Sequence, residues 1–344
     1  MKTTGRFVPL FAAATIMGSV QSAAAQSSKI TTESAHVQSR DVGVQLYVRN
    51  KRPAAMTTFT PDRVLLFVHG VTYPAETTFD LKVDGASWMD FIAERGFDVW
   101  LMDVRGYGRS TRPQEMEKPP RDSAPVVNTE VALVDFGAVV DHILRLRRIP
   151  RMTVMGWSWG TVIAGAYASR NADKIERVVL YAPLWVRQTP GGLRFDGSAY
   201  RMVTMDAARQ RWLSGVPTDK QKDLIPPGVF EAWWSANMEA DPVGAKQTPP
   251  VVRAPNGALA DGMQYWEADT RYYDPGPIRA PTLLIVGEWD ADTPPSMAQA
   301  LLARLTNTTR KRLVIVGEAT HTMLLERNRM QLFREVQTFL EEAR

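Results

Sequence analysis

The pentad Gly156-Trp157-Ser158-Trp159-Gly160 sets a serine between glycines placed two positions to either side. It directly follows an apolar run at 152–157 that reads as a strand and directly precedes a stretch at 159–170 with helical periodicity. A residue at so sharp a strand-to-helix turn takes strained backbone angles, and side chains at 156 and 160 would collide with neighbouring chain, which accounts for both glycines. The turn presents Ser158 Oγ at the carboxyl edge of a sheet, beside the positive end of the following helix. The chemistry implied is nucleophilic attack on a carbonyl, passing through a covalent acyl-serine.

A serine hydroxyl is a weak nucleophile at neutral pH and needs a base held in one tautomer. The chain has four histidines. His36 falls in an N-terminal hairpin, His142 on a helix near Arg145, and His69 at the end of a strand; His321 alone lies in a loop after the last strand, from which it can reach the serine. A carboxylate leaving a strand between Ser158 and His321 completes the set, and Gly287-Glu288-Trp289-Asp290-Ala291-Asp292-Thr293-Pro294 offers two. Asp290 leaves the strand sooner and is preferred, while Asp292 suits the N-terminal charge or cap of the next helix. The negative charge of a tetrahedral intermediate calls for preorganised backbone N–H donors. Trp159, next after the nucleophile, supplies one, and Val71, after the strand ending Val68-His69-Gly70, supplies the other; His69 then shapes that loop. Trp157 and Trp159 are placed at the floor or wall of the substrate pocket, with Trp185, Trp233 and Trp234 above. No cofactor and no metal is required by this chemistry.

The elements that must hold these residues alternate from residue 64 onward. Apolar, β-branched runs at 63–68, 97–103, 152–157, 177–182, 281–287 and 312–317 read as strands, and amphipathic segments at 88–95, 130–148, 159–170, 296–305 and 327–342 as helices between them. That rhythm predicts an α/β fold with a mostly parallel sheet covered by helices on both faces. Alternation at 37–49 predicts a leading antiparallel hairpin. Between 185 and 277 the rhythm stops, in a stretch rich in Pro and Gly that holds five tryptophans. A structureless loop of that length is improbable in a compact domain, so the segment reads as a mostly helical cap, dividing the catalytic core into 26–184 and 278–344.

Residues 1–25 carry a basic start, a short apolar middle and Ala23-Ala24-Ala25, the order of a secretory signal peptide cleaved after Ala25. The expectation is export, to a periplasm or the medium, as a protein without a membrane span. The absence of cysteine rules out disulfides, thiol catalysis and a cysteine-ligated metal. The formal charge of +4 is spread among interspersed acids and bases, which gives no footprint for nucleic acid.

From about residue 37 to its end the chain resembles the α/β-hydrolase superfamily. The resemblance is carried by His69-Gly70 after one strand, Asp103-Val104-Arg105-Gly106-Tyr107-Gly108-Arg109-Ser110 after the next, the Ser158 turn, Asp290 and His321. It implies a capped serine hydrolase, and Ser rather than Asp at the turn sets aside the haloalkane dehalogenase and epoxide hydrolase branches. The aromatic residue after the nucleophile is similar to prolyl iminopeptidases, but the 69–73 loop has less glycine than theirs and the cap lacks a Trp-Glu pair for grasping an amino terminus. Hydrolysis of a carboxylic ester or lactone with an apolar or aromatic acyl or alcohol portion is the leading expectation. Amide or peptide hydrolysis, acyl transfer and carbon–carbon cleavage use the same scaffold, as would a binding protein without turnover. Oligomeric state is left open.

Overall fold

The computed structural model describes residues 29–187, 194–308 and 310–343, together with residues 1, 2 and 5. The leader expected at 1–25 lies, apart from those three residues, outside the described residues. The hairpin comes first, from Ile30–Gln38 (β1) and Gln45–Pro53 (β2). Val64–Val68 (β3) leads through the single turn Glu76–Phe79 (α1) and Trp88–Ala93 (α2) to Asp98–Met102 (β4). Thr129–Arg147 (α3), Met152–Trp157 (β5), Trp159–Arg170 (α4) and Ile175–Tyr181 (β6) follow.

An insertion then brings Tyr200–Thr204 (β7), Met205–Trp212 (α5), Gln221–Leu224 (α6), Val229–Ala240 (α7), Val251–Pro255 (β8) and Gly257–Gln264 (α8). It is not built of helices alone: β7 and β8 pair as an antiparallel ribbon. The chain returns to the sheet with Thr282–Gly287 (β9), Pro295–Arg304 (α9), Lys311–Val316 (β10) and Arg329–Glu341 (α10).

The main sheet has the order β1-β2-β4-β3-β5-β6-β9-β10, with β2 antiparallel to both β1 and β4 and all other neighbours parallel. Its inner strands are buried on both faces, which is why they read as unbroken apolar runs. Side chains alternate between two cores as the pleat requires. Val64, Leu66 and Val68 of β3 pack with α3, α4 and α9, whereas Leu65 and Phe67 pack with α2 and α10. Trp88 of α2 stacks on Phe333 of α10 and meets Phe79 edge-on, locking the second layer. The chain runs from β3 outward to β4 and then crosses back to β5, so the sheet reverses its winding at β3. Loops there splay apart and leave a crevice at the carboxyl ends of β3 and β5, where such folds bind ligands. Among the described residues no helix is long and apolar enough to cross a membrane.

Candidate active site

Ser158 stands between β5 and α4 with φ 57° and ψ −123°. Such a conformation costs a non-glycine residue on the order of 1–3 kcal/mol, and its surroundings must over-determine it. They do. Ser158 N–H donates to Tyr181 O of β6 at 3.0 Å, and its carbonyl accepts from Thr161 N at 2.8 Å and from Thr161 Oγ1. The flanking glycines leave the room expected of them: a Cβ on Gly156 would lie 2.1 Å from Gly160 O, and one on Gly160 would lie 2.4 Å from Val68 O. Gly70, after β3, brings its loop over the serine, since a Cβ there would already sit 3.0 Å from Ser158 Cβ.

His321 lies in the loop after β10, with its backbone oxygen accepting from Trp157 Nε1 at 3.0 Å and Tyr181 Oη at 2.8 Å. Its Nδ1–H donates to Asp290, 2.9 Å from Oδ2 and 3.0 Å from Oδ1. Thr293 N and Oγ1 hold the same carboxylate at 2.7 and 2.9 Å. This arrangement fixes the tautomer that leaves Nε2 as the acceptor. Burial disfavours the imidazolium, but the charge and hydrogen bond of Asp290, with Asp292 beyond, outweigh it and raise the His321 pKa above its ordinary value; Arg211 opposes them. Ser158 Oγ and His321 line one cavity without a hydrogen bond between them, and contacts of this kind commonly tighten only around substrate.

Among the described residues the N–H groups of Val71 and Trp159 are left without a protein acceptor. His69 is wholly buried, with Nδ1 donating to Gly70 O at 2.7 Å and Nε2 accepting from Val104 N at 3.1 Å. Burial drives its pKa down to about 4, so it is neutral and braces the loop.

Two cavities meet at Ser158, Val71, Arg211 and Asp292. The smaller, about 20 Å³, is walled by Gly70, Tyr73, Trp157, Trp212, Trp233 and His321. The larger, about 300 Å³, is bounded by Leu184, Arg187, Leu259, Trp266, Glu267 and Asp292. Of the tryptophans singled out from sequence, Trp157 and Trp233 reach the first cavity and three reach neither. Trp159 is wholly buried and donates from Nε1 to Thr129 Oγ1 at 2.9 Å, which ties its ring into the α3–α4 core. Trp185 packs edge-on to Tyr273, and Trp234 lies on α7 behind Trp233. Trp212 and Trp266 line the cavities in their place.

Asp292 does not cap α9, whose N-cap is Pro294. Its carboxylate pairs with Arg211 of α5 at 2.8 Å and lies 4.0 Å from His321 Nε2. Two further residues had no sequence signal. Arg201 of β7 donates to Val71 O at 2.6 Å and to Thr72 Oγ1 at 2.7 Å, gripping the loop that carries the Val71 amide. Glu326, wholly buried, accepts from Trp212 Nε1 at 2.9 Å, Thr320 N at 3.0 Å and Thr320 Oγ1, and so ties the insertion to the residue before His321. Both depend on how the insertion folds back, which spacing along the chain does not encode.

Residues 60–328 match the model of the family described as serine aminopeptidase, S33. Lipase lipl-3 of Caenorhabditis elegans is 28% identical over 137 residues, which cover 38% of this chain and 34% of that protein. The chain spans about a third of the length of the curated relatives it matches. Among solved structures, the enol-lactonase of Burkholderia xenovorans LB400 superposes with a TM-score of 0.60 at 18% identity, over 90% of this chain and 100% of that one. A thermophilic esterase from Thermogutta terrifontis gives 0.58 at 16% identity, over 90% and 98%. At these identities the likeness is one of fold.

Proposed function

The chain belongs to the serine aminopeptidase S33 family, within the α/β-hydrolase fold, and from that premise we propose an exported serine hydrolase that cleaves a carboxylic ester or lactone through an acyl-Ser158 intermediate. The observation that carries this reading is the buried Asp290–His321 pair opening onto the same cavity as the strained Ser158. Ser158 Oγ attacks the carbonyl carbon as its proton passes to His321 Nε2, and the oxyanion takes the N–H groups of Val71 and Trp159. On collapse, Nε2 gives that proton to the leaving oxygen. Water then repeats the sequence on the acyl-enzyme, releasing the acid and restoring Ser158. Each preorganised donor contributes about 3 kcal/mol in comparable sites.

The family description raises aminopeptidase activity as a second reading. A free amino terminus needs an uncommitted carboxylate, and those lining the two cavities, Asp292 and Glu267, are paired with Arg211 and Arg187. That pairing favours the ester reading. Export rests on the signal-like order of residues 1–25 and is tested by the amino-terminal sequence of the protein recovered outside the cytoplasm, Gln26 being expected. For the chemistry, we expect fluorophosphonate labelling and Ser158-dependent release of acid from carboxylic esters, both abolished in Ser158→Ala. Full activity of that variant, or turnover of aminoacyl anilides alone, would refute the proposal.

A further inference from the structure

The two cavities at Ser158 are unequal in size and in access to the base, and together they fix which part of an ester goes where. The leaving oxygen must take its proton from His321 Nε2, and so must the water that later attacks the acyl-enzyme. His321 lines only the small cavity. The alcohol and then the water therefore belong on that side, and the acyl group lies in the larger space. A cavity of about 20 Å³ holds little more than one water molecule; its aromatic walls, Tyr73, Trp157, Trp212 and Trp233, are all buried, in packing that does not yield readily, and the Arg211–Asp292 pair lines it on the side shared with the larger cavity. The larger cavity, about 300 Å³, lies at the lower end of the range for sites that enclose a drug-sized molecule.

The larger cavity also balances its charges. Arg187 pairs with Glu267 at 2.9 Å and Arg211 with Asp292 at 2.8 Å. A carboxylate or ammonium brought in with the acyl group would be desolvated without a partner. The remaining wall sets the apolar side chains of Leu184, Ala258, Leu259 and Trp266 beside the neutral hydroxyls of Ser214 and Thr293.

We infer that the substrate is the ester of a very short alcohol with a bulky, uncharged acyl group, held between Leu259 and Trp266. This rests on the serine-hydrolase reading and narrows it: a large lactone, whose alcohol stays tethered to its acyl part, does not fit the division of space.

A reversed-ester pair separates the two sides without changing size or composition. Methyl phenylbutanoate puts the phenylalkyl group on the acyl side, and its isomer phenylpropyl acetate puts it on the alcohol side. Acid release by the full chain is followed in a pH-stat, with Ser158→Ala as control and fluorophosphonate labelling run in parallel. One misplaced methylene in a tight pocket already costs about tenfold, so kcat/KM for the methyl ester is expected to exceed that for the acetate by at least about tenfold. Methyl hexanoate is expected to exceed the monomethyl ester of adipic acid by a similar factor, and Leu259→Trp should lower the ratio of methyl phenylbutanoate to methyl acetate. Equal rates, a preference for phenylpropyl acetate, or labelling of Ser158 with neither ester cleaved would overturn the assignment while leaving the serine hydrolase standing. Loss of labelling as well would remove the hydrolase reading itself.

Discussion

His321 faces opposed charges from the residues around its free nitrogen, and the two can be removed one at a time. Asp292 Oδ2 lies 4.0 Å from Nε2 and favours the imidazolium, while Arg211, paired to Asp292 at 2.8 Å, disfavours it. Two unit charges at that separation interact by about 1 kcal/mol in water and about 4 kcal/mol at an effective dielectric constant near 20. Asp292 is 30% exposed and shares its charge with Arg211, which places the effect at the lower end, about 1 kcal/mol or roughly fivefold in a proton equilibrium. In its proposed role as base His321 works only when neutral, so activity is expected to rise with pH through its pKa, which is raised above its ordinary value. Asp292→Asn should move this acid limb to lower pH, so that on the limb the variant keeps roughly fivefold more of its own plateau kcat/KM than wild type does. Arg211→Gln leaves Asp292 unopposed and should move the limb the other way. The assay is kcat/KM against pH for methyl phenylbutanoate, read by acid release, with all three proteins. Both substitutions break the same bridge to the insertion, so a purely structural effect would move both limbs in one direction. That result, or an acid limb that rises in Asp292→Asn, would refute the electrostatic argument.

Three further outcomes follow from the geometry. Asp290→Asn cannot accept from Thr293 N and His321 Nδ1 as the carboxylate does, and kcat should fall on the order of 10⁴-fold with stability little changed, as read by stopped assay and thermal melting. Gly156→Ala drives a Cβ to within 2.1 Å of Gly160 O; unfolding by urea should show a loss of about 3 kcal/mol or failure to fold, and wild-type stability would contradict the packing argument. Burial raises the pKa of Glu326 from 4.5 to about 7 despite its hydrogen bonds. A carboxyl whose folded pKa lies above its unfolded one stabilises the fold fully below pH 4.5 and loses that contribution as pH climbs through 7. The stability of Glu326→Gln relative to wild type should therefore rise across that window by about 3 kcal/mol, above any constant offset from the altered hydrogen bonds; a pH-independent difference would count against it.

The inner strands and the Ser158 turn were legible because burial on both faces leaves unbroken apolar runs, and because close approach on both sides of the serine demands glycine. β1 was read only in its last residues, since as an exposed edge strand its 30–36 segment carries little alternation. The β7–β8 ribbon was hidden for another reason. Its strands have five residues each, and Arg253, in the middle of β8, is a buried charge satisfied by Asp241 at 2.7 Å. Such a pair makes a strand look like a polar loop. Residue type alone also could not tell Trp159 from Trp157: positions two apart, on either side of a strand-to-helix junction, point in different directions, one ring to the core and the other to the cavity. The Arg211–Asp292 contact joins positions 81 residues apart and exists only once the insertion has folded.

Arg201 sits on that ribbon, with one end of its guanidinium on Pro255 O and Asn256 Oδ1 and the other on Val71 O and Thr72 Oγ1. Tyr107 Oη donates to the same Val71 oxygen at 2.9 Å. The insertion is thus not an interchangeable accessory resting on a finished catalyst. A graft that replaced residues 185–277 with a different cap would remove the strut behind the peptide unit next to the proposed oxyanion donor, and the recipient is expected to lose rate along with selectivity. Diversification of such a protein is therefore constrained to retune the walls of the cavities around a fixed arginine, one side chain at a time, rather than to exchange the module whole.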